Sequence, residues 1–76
     1  MKTANTFMLG VTAGLIECIM DENDYNDWLV EVVENGLKLT NKKTKQYTTW
    51  NIYDYDCDFT IIKTKIEKFL KLQYNR

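Results

Sequence analysis

The spacing of apolar residues changes once along this chain, near Asp58. Before it, apolar side chains recur mainly at every second position, which is the period of a half-buried strand. After it, Ile62, Ile66 and Leu70 recur at helical spacing, and Asp58 is a suitable N-cap for a helix over 58–73. Strands followed by one helix indicate an α+β fold class. We therefore predict a small curved antiparallel β-sheet, a meander of three to five strands, with one C-terminal α-helix packed across it.

The first apolar segment, 7–20, is predicted to be a curved strand, with a helix as the alternative. Its odd-numbered positions from 7 to 15 are apolar, and two interior glycines, Gly10 and Gly14, would each cost a helix about 1 kcal/mol relative to alanine. The GxxxG spacing of these glycines promotes helix packing inside a membrane, but a segment of 14 residues is too short to span one. We therefore assign no role to the glycine pair and expect a cytoplasmic protein.

The middle of the chain is predicted to form strands over 28–40 and 46–53, separated by polar turns. Asn35 and Gly36 are the strongest hairpin signal, although a glycine at this position also suits a bulge inside one long strand. We favour the bulge, because one long strand then matches the first segment in length. The bulge puts the acidic turn 21–27 at the same end of the sheet as the aspartates that precede the helix. A true hairpin would put the two acidic segments at opposite ends.

The residue content excludes several kinds of chemistry. The chain has no histidine, and Cys18 and Cys57 do not form a CxxC pair, so the usual ligands of zinc and haem and the usual catalytic triads are missing. A single domain over 1–76 has little room for a catalytic cleft, and no glycine-rich phosphate loop is present. We therefore expect no enzyme activity, no cofactor and no metal. We also expect free thiols, with a single Cys18–Cys57 disulfide as the alternative.

Three aspartates alternate with other residues just before the helix, and this pattern raises the question of a calcium site. A calcium loop that starts at Asp54 requires glycine at its sixth position and glutamate at its twelfth, where this chain has Phe59 and Lys65. On an extended strand, the three carboxylates would also lie about 6.5–7 Å apart, so one ion could not contact all of them. The spacing therefore argues against a metal site.

Charge is unevenly distributed along the chain, although the net charge is −1. Residues 1–36 hold one lysine and seven acids, whereas residues 37–76 hold nine lysines and arginines and four acids. The two halves either pair in the fold or leave separate acidic and basic faces. Tyrosine and tryptophan are common anchors of protein interfaces, and clustered carboxylates steer a basic partner toward them. We therefore predict a partner-binding surface that consists of Asp21, Glu22, Asp24, Tyr25, Asp27, Tyr53, Asp54, Tyr55 and Asp56. The alternative is that the aromatic residues belong to the core and the acids only solvate turns.

The predicted surface favours a small non-enzymatic protein that binds a host protein with a basic surface. Lysine greatly outnumbers arginine, which is typical of AT-rich genomes and suggests an inhibitor carried by a phage or mobile element. One alternative is a nucleic-acid-binding module that uses Lys42, Lys43 and Lys45 together with Tyr47 and Trp50. The negative net charge and the single arginine count against this alternative. A second alternative is a structural homo-oligomer, such as a homodimer, sealed by an exposed sheet edge. No membrane partner is expected.

Overall fold

A computed structural model describes residues 6–75 of the protein. These residues form two α-helices, a three-stranded antiparallel sheet and one 3-10 turn, which confirms the α+β class. The sheet is a meander with the strand order β1-β2-β3. The elements in chain order are α1 (Thr6–Glu22), β1 (Trp28–Val33), β2 (Gly36–Asn41), β3 (Tyr47–Asn51), the 3-10 turn (Ile52–Tyr55) and α2 (Phe59–Tyr74).

The segment 7–20 lies in a helix, so the prediction of a strand there is wrong. Residues 6–75 contain two α-helices in place of the one predicted. α1 buries Leu9, Ala13, Ile16 and Met20, which lie on one helix face because they are three or four residues apart. Full burial of a large apolar side chain contributes about 1.5–3 kcal/mol. That gain, summed over the face, exceeds the roughly 1 kcal/mol that each interior glycine costs the helix.

The predicted bulge is also wrong, because β1 and β2 are separate strands of a hairpin. Val33 pairs with Gly36, so the loop is Glu34-Asn35, and Asn35 adopts a left-handed φ of 58°. Asparagine is one of the few residues that enter this region readily. Gly36 is required for a different reason, since a β-carbon at this position would overlap the backbone carbonyl of Trp50.

Both helices cover the same face of the sheet. Leu37 pairs with Trp50, and Leu39 lies on the same side because side chains two residues apart on a strand point the same way. Phe69 of α2 meets Trp28 and Trp50 edge-on, with ring centroids 5.3 and 5.4 Å away. α1 packs against β1, β2 and α2. The buried apolar side chains form one core, which consists of Leu9, Ala13, Ile16, Met20, Val30, Leu37, Leu39, Ile52, Ile62, Ile66 and Leu70.

The C-terminal helix is where the sequence predicted it. α2 spans Phe59–Tyr74, one residue later at each end than the predicted 58–73. Asp58 is its N-cap, and one carboxylate oxygen accepts hydrogen bonds from the N–H groups of Thr60, at 2.9 Å, and Ile61, at 3.2 Å. This cap satisfies two of the backbone donors that the first helical turn leaves without a partner.

The predicted strand 46–53 is shorter in the structure. β3 ends at Asn51, whose side-chain oxygen accepts a 2.9 Å hydrogen bond from the N–H of Tyr53. An asparagine side chain that binds the backbone two residues ahead favours a turn over a continued strand. The chain therefore leaves the sheet at Asn51 and enters the 3-10 turn.

Two further expectations concern the thiols and the membrane. Cys18 is exposed and Cys57 is half-buried, and both are free thiols, so the disulfide alternative is wrong. Neither of the two helices in the described part of the chain is long and apolar enough to cross a membrane.

Candidate partner-binding surfaces

The first predicted acidic segment, 21–27, lies at the end of the sheet where β1 begins. α1 continues through Asp21 and Glu22, so only the remainder of the segment is a turn. Asp24 adopts a left-handed φ of 57° in this turn. The N–H of Tyr25 then donates a 2.8 Å hydrogen bond to the carbonyl of Met20, which closes the C-terminal end of the helix.

A shallow depression of about 260 Å³ lies between the last turns of α1 and the start of β1. Tyr25 and Trp28 line it, together with the charged residues Glu17, Asp21 and Lys42. Tyr25 and Trp28 also pack against the core. On one side the two aromatic residues pack in the fold, as predicted by the alternative that assigns them to the core. On the other side they line a surface depression.

Lysines of the turn between β2 and β3 lie at this same end. The backbone N–H of Lys42 donates a 2.8 Å hydrogen bond to the carbonyl of Asp27, and the Lys43 ammonium lies 3.4 Å from the Asp27 carboxylate. The acidic and basic halves of the sequence therefore meet here. This end of the molecule carries charges of both signs, which weakens its field toward a basic partner.

The second predicted acidic segment follows β3 and lies in and just after the 3-10 turn. Tyr53 has 47% of its surface exposed, whereas Tyr55 packs partly against the core. Asp54 and Asp56 are exposed, and Asp56 adopts a left-handed φ of 55°. The aromatic residue that is most available to a partner here is Tyr53.

The two acidic segments lie at opposite ends of the sheet. Trp28, which follows the first segment, pairs with Asn41 at the end of β2. Asn51, which precedes the second segment, pairs with Gly36 at the start of β2. A strand of this length spans about 17–20 Å. The nine predicted residues therefore form two separate surfaces, as the hairpin alternative requires.

The structure adds Glu34 to the second surface. The hairpin loop lies beside the 3-10 turn, because the N–H of Ile52 donates a 2.8 Å hydrogen bond to the carbonyl of Asn35. Sequence reasoning missed Glu34, since the favoured bulge placed it inside a strand. Residues 34–35 and 51–58 contain four carboxylates and no lysine or arginine. We call this surface the acidic end, and it consists of Glu34, Tyr53, Asp54, Asp56 and Asp58.

The residues predicted for nucleic-acid binding are also divided between surfaces. Trp50 is half-buried against Phe69 on the face that the helices cover. Tyr47 lies on the opposite face with 61% of its surface exposed, and the Lys38 ammonium is 4.5 Å from its ring centroid. Among residues 6–75, no three acidic or cysteine side chains are grouped so that they could hold a metal ion.

Comparison with known proteins adds no family or relative to these observations. No family model, no curated protein and no solved structure matches the chain.

Proposed function

We propose that the protein is a small non-enzymatic binding module that acts in the cytoplasm and docks its acidic end on the basic surface of a host protein. The lysine-rich, arginine-poor composition supports the further step that it is an inhibitor carried by a phage or mobile element. The observation that carries the proposal is that four exposed carboxylates lie on two neighbouring segments, 34–35 and 51–58, at the end of the sheet that also exposes Tyr53.

The physical basis is electrostatic steering followed by anchoring. Like charges held on one end of a small domain add their fields, which raises the association rate with an oppositely charged surface. Tyr53 offers a rigid, amphipathic ring that a partner can bury at low entropic cost. Asp58 also caps α2, so the test below substitutes Asp54 and Asp56 and leaves the cap in place.

The test compares two double variants that each remove two charges. In D54N/D56N the acidic end loses half of its carboxylates, whereas D21N/D24N makes the same change at the opposite end. The pair is matched because Asp56 and Asp24 both have a left-handed φ, which asparagine tolerates as well as aspartate. Tagged wild type and both variants are used to capture partners from the native host at two salt concentrations.

We expect the wild type to capture a basic protein, and D21N/D24N to retain it. We expect D54N/D56N to lose at least about tenfold in affinity for that protein, mainly through slower association and most strongly at low salt. Equal affinity of the two double variants would refute the assignment to the acidic end. Capture of nucleic acid alone would refute the proposed function.

The nucleic-acid alternative keeps one favourable observation, the exposed Tyr47 ring with Lys38 above it. Single-stranded nucleic acid is bound by exposed aromatic rings, on which bases stack, together with nearby cations that contact the phosphates. Titration of labelled single-stranded and duplex DNA and RNA at two salt concentrations tests it. No binding at low salt would eliminate this alternative, and salt-sensitive binding that Tyr47→Ala abolishes would favour it.

A further inference from the structure

α1 exposes an apolar face that nothing in the described chain covers. Phe7 has 76% of its surface exposed, Val11 40% and Leu15 47%. These three residues are four apart, so they form a line along one side of the helix. Gly10, Gly14 and Cys18 are also exposed and lie on the same side. We call this set the α1 face, and it is independent of the acidic end and of the proposed function.

The composition of the α1 face is unusual for a helix exposed to water. From residue 6 to residue 16 the helix contains no charged side chain. Its opposite side is already buried in the core through Leu9, Ala13 and Ile16. A helix that is apolar on both sides is normally covered on both sides. The α1 face is therefore a surface that needs a partner.

The two glycines shape this face for close contact with another helix. A β-carbon added at Gly10 or Gly14 would meet no atom within 4 Å, so the helix backbone is exposed at these two positions. Val11 and Leu15 stand beside the glycines as a ridge. A ridge next to a groove of matching size is self-complementary, because a two-fold axis inserts each ridge into the other groove.

The charges at the end of α1 indicate which partner covers the α1 face. The helix has no basic residue in its last turn and no acidic residue in its first, although Asp21 and Glu22 lie near its negative C-terminal end. With a two-fold axis midway between Gly10 and Gly14, an antiparallel copy would bring the positive N-terminus of its helix opposite Cys18, within about one helical turn of these two carboxylates, and would gain the same contact in return. A parallel copy would bring the carboxylates together. An anionic membrane would be repelled, since residues 6–37 contain seven acids and no lysine or arginine.

We propose that the α1 face is a homodimer interface in which two copies pack antiparallel about a two-fold axis near Gly10 and Gly14. From Phe7 to Cys18 the face extends about 17 Å along the helix axis and is about one helix wide. With a helix width of about 10 Å, the projected area is about 170 Å² per copy, well below the roughly 1,200 Å² of total buried surface at which stable complexes begin. The dimer is therefore reversible and forms at high protein concentration.

Sedimentation velocity from about 10 μM to about 1 mM tests the dimer. Gly14→Lys places a charged side chain in the groove, and the monomer can accept it because the site is open and lysine is a better helix former than glycine. Leu72→Lys is the matched control, since Leu72 is exposed on α2 with 65% of its surface accessible. The denaturation midpoint of each variant at the lowest concentration confirms that it is folded.

We expect wild type and Leu72→Lys to pass from monomer to dimer across this range, and Gly14→Lys to raise the Kd by at least about tenfold. A wild type that stays monomeric at about 1 mM overturns the proposal, even if it floats with phosphatidylcholine and phosphatidylglycerol vesicles. Equal weakening by the two lysine variants overturns it as well.

Mild oxidation tests the orientation. In the antiparallel dimer the two Cys18 side chains lie on opposite sides of the axis, well beyond the roughly 7 Å between Cα atoms that a disulfide allows. We expect no disulfide-linked wild-type dimer. A Val11→Cys, Cys18→Ser variant places one thiol near the axis and should form a linked dimer. Efficient linkage through Cys18 would indicate parallel helices and overturn the antiparallel arrangement.

Discussion

The ring of Tyr25 stacks on the ring of Tyr74, with centroids 4.3 Å apart and planes inclined by 15°. The Tyr74 hydroxyl also accepts a 3.1 Å hydrogen bond from the N–H of Asp27. Through these two contacts the last turn of α2 holds the turn that follows α1. The acidic turn 21–27 is thus fixed by a residue about fifty positions further along the chain.

Two substitutions separate the contribution of the stacked rings from that of the hydrogen bond. Tyr74→Phe keeps the stacked ring and loses the hydrogen bond, so we expect a loss of about 0.5–1.5 kcal/mol in the free energy of unfolding. Tyr74→Ala also removes the ring, and we expect a total loss of about 2–3 kcal/mol. Urea denaturation measures both, and the exposed Leu72→Ala on the same helix is the control. A Tyr74→Ala variant as stable as this control would show that α2 is not held through Tyr74.

The three glycines should respond to alanine in opposite directions. Gly36→Ala puts a β-carbon into the Trp50 carbonyl, so we expect a loss of at least about 2 kcal/mol in the free energy of unfolding. Gly10→Ala and Gly14→Ala add a β-carbon in open space within a helix, and each should gain about 0.5–1 kcal/mol. The measurement is made at low protein concentration, so that self-association does not contribute. A destabilised Gly10→Ala would contradict the helical assignment of α1.

Loss of Asp58 should destabilise the fold more than loss of Asp54. Asp58 accepts hydrogen bonds from two N–H groups at the start of α2, so we expect Asp58→Ala to cost about 1 kcal/mol. Asp58→Asn keeps a capping side chain and should change stability by only a few tenths of a kcal/mol. Asp54→Ala, at an exposed position, should stay within about 0.5 kcal/mol of wild type. Thermal denaturation compares the three, and equal losses for Asp58→Ala and Asp54→Ala would refute the capping role.

The two thiols should differ in reactivity. Cys18 is exposed on α1, whereas Cys57 is half-buried against the core. We expect a thiol reagent such as dithionitrobenzoate to modify two thiols per folded chain, with Cys18 reacting several-fold faster. The variants Cys18→Ser and Cys57→Ser assign the two phases. A non-reduced protein without free thiols would contradict the structure.

Sequence reasoning succeeded where local signals were unambiguous. Ile62, Ile66, Phe69 and Leu70 recur at intervals of three and four residues, which place them on one face of a helix but on both faces of a strand. Asp58 marks the start of this helix. The acidic segments beside aromatic residues could also be predicted from the sequence, because each is a short stretch of neighbouring residues. Whether those segments form one surface was not visible, because it depended on the hairpin at Glu34-Asn35.

The sequence by itself determined the α+β class, the C-terminal helix and its cap, since each depends on residues close together in the chain. Only the tertiary structure decided that 7–20 is a helix, because its period is ambiguous and burial of Leu9, Ala13 and Ile16 against the sheet overrides the glycines. The same choice turned Gly10 and Gly14 from apparent evidence against a helix into part of an exposed helix face. The pairing of β1 with β2 then separated the acidic residues into two groups. One group lies at the end of the sheet that also carries lysines, and the other forms the acidic end. Such long-range pairing depends on which arrangement buries the most apolar surface, and no short stretch of residues contains that information.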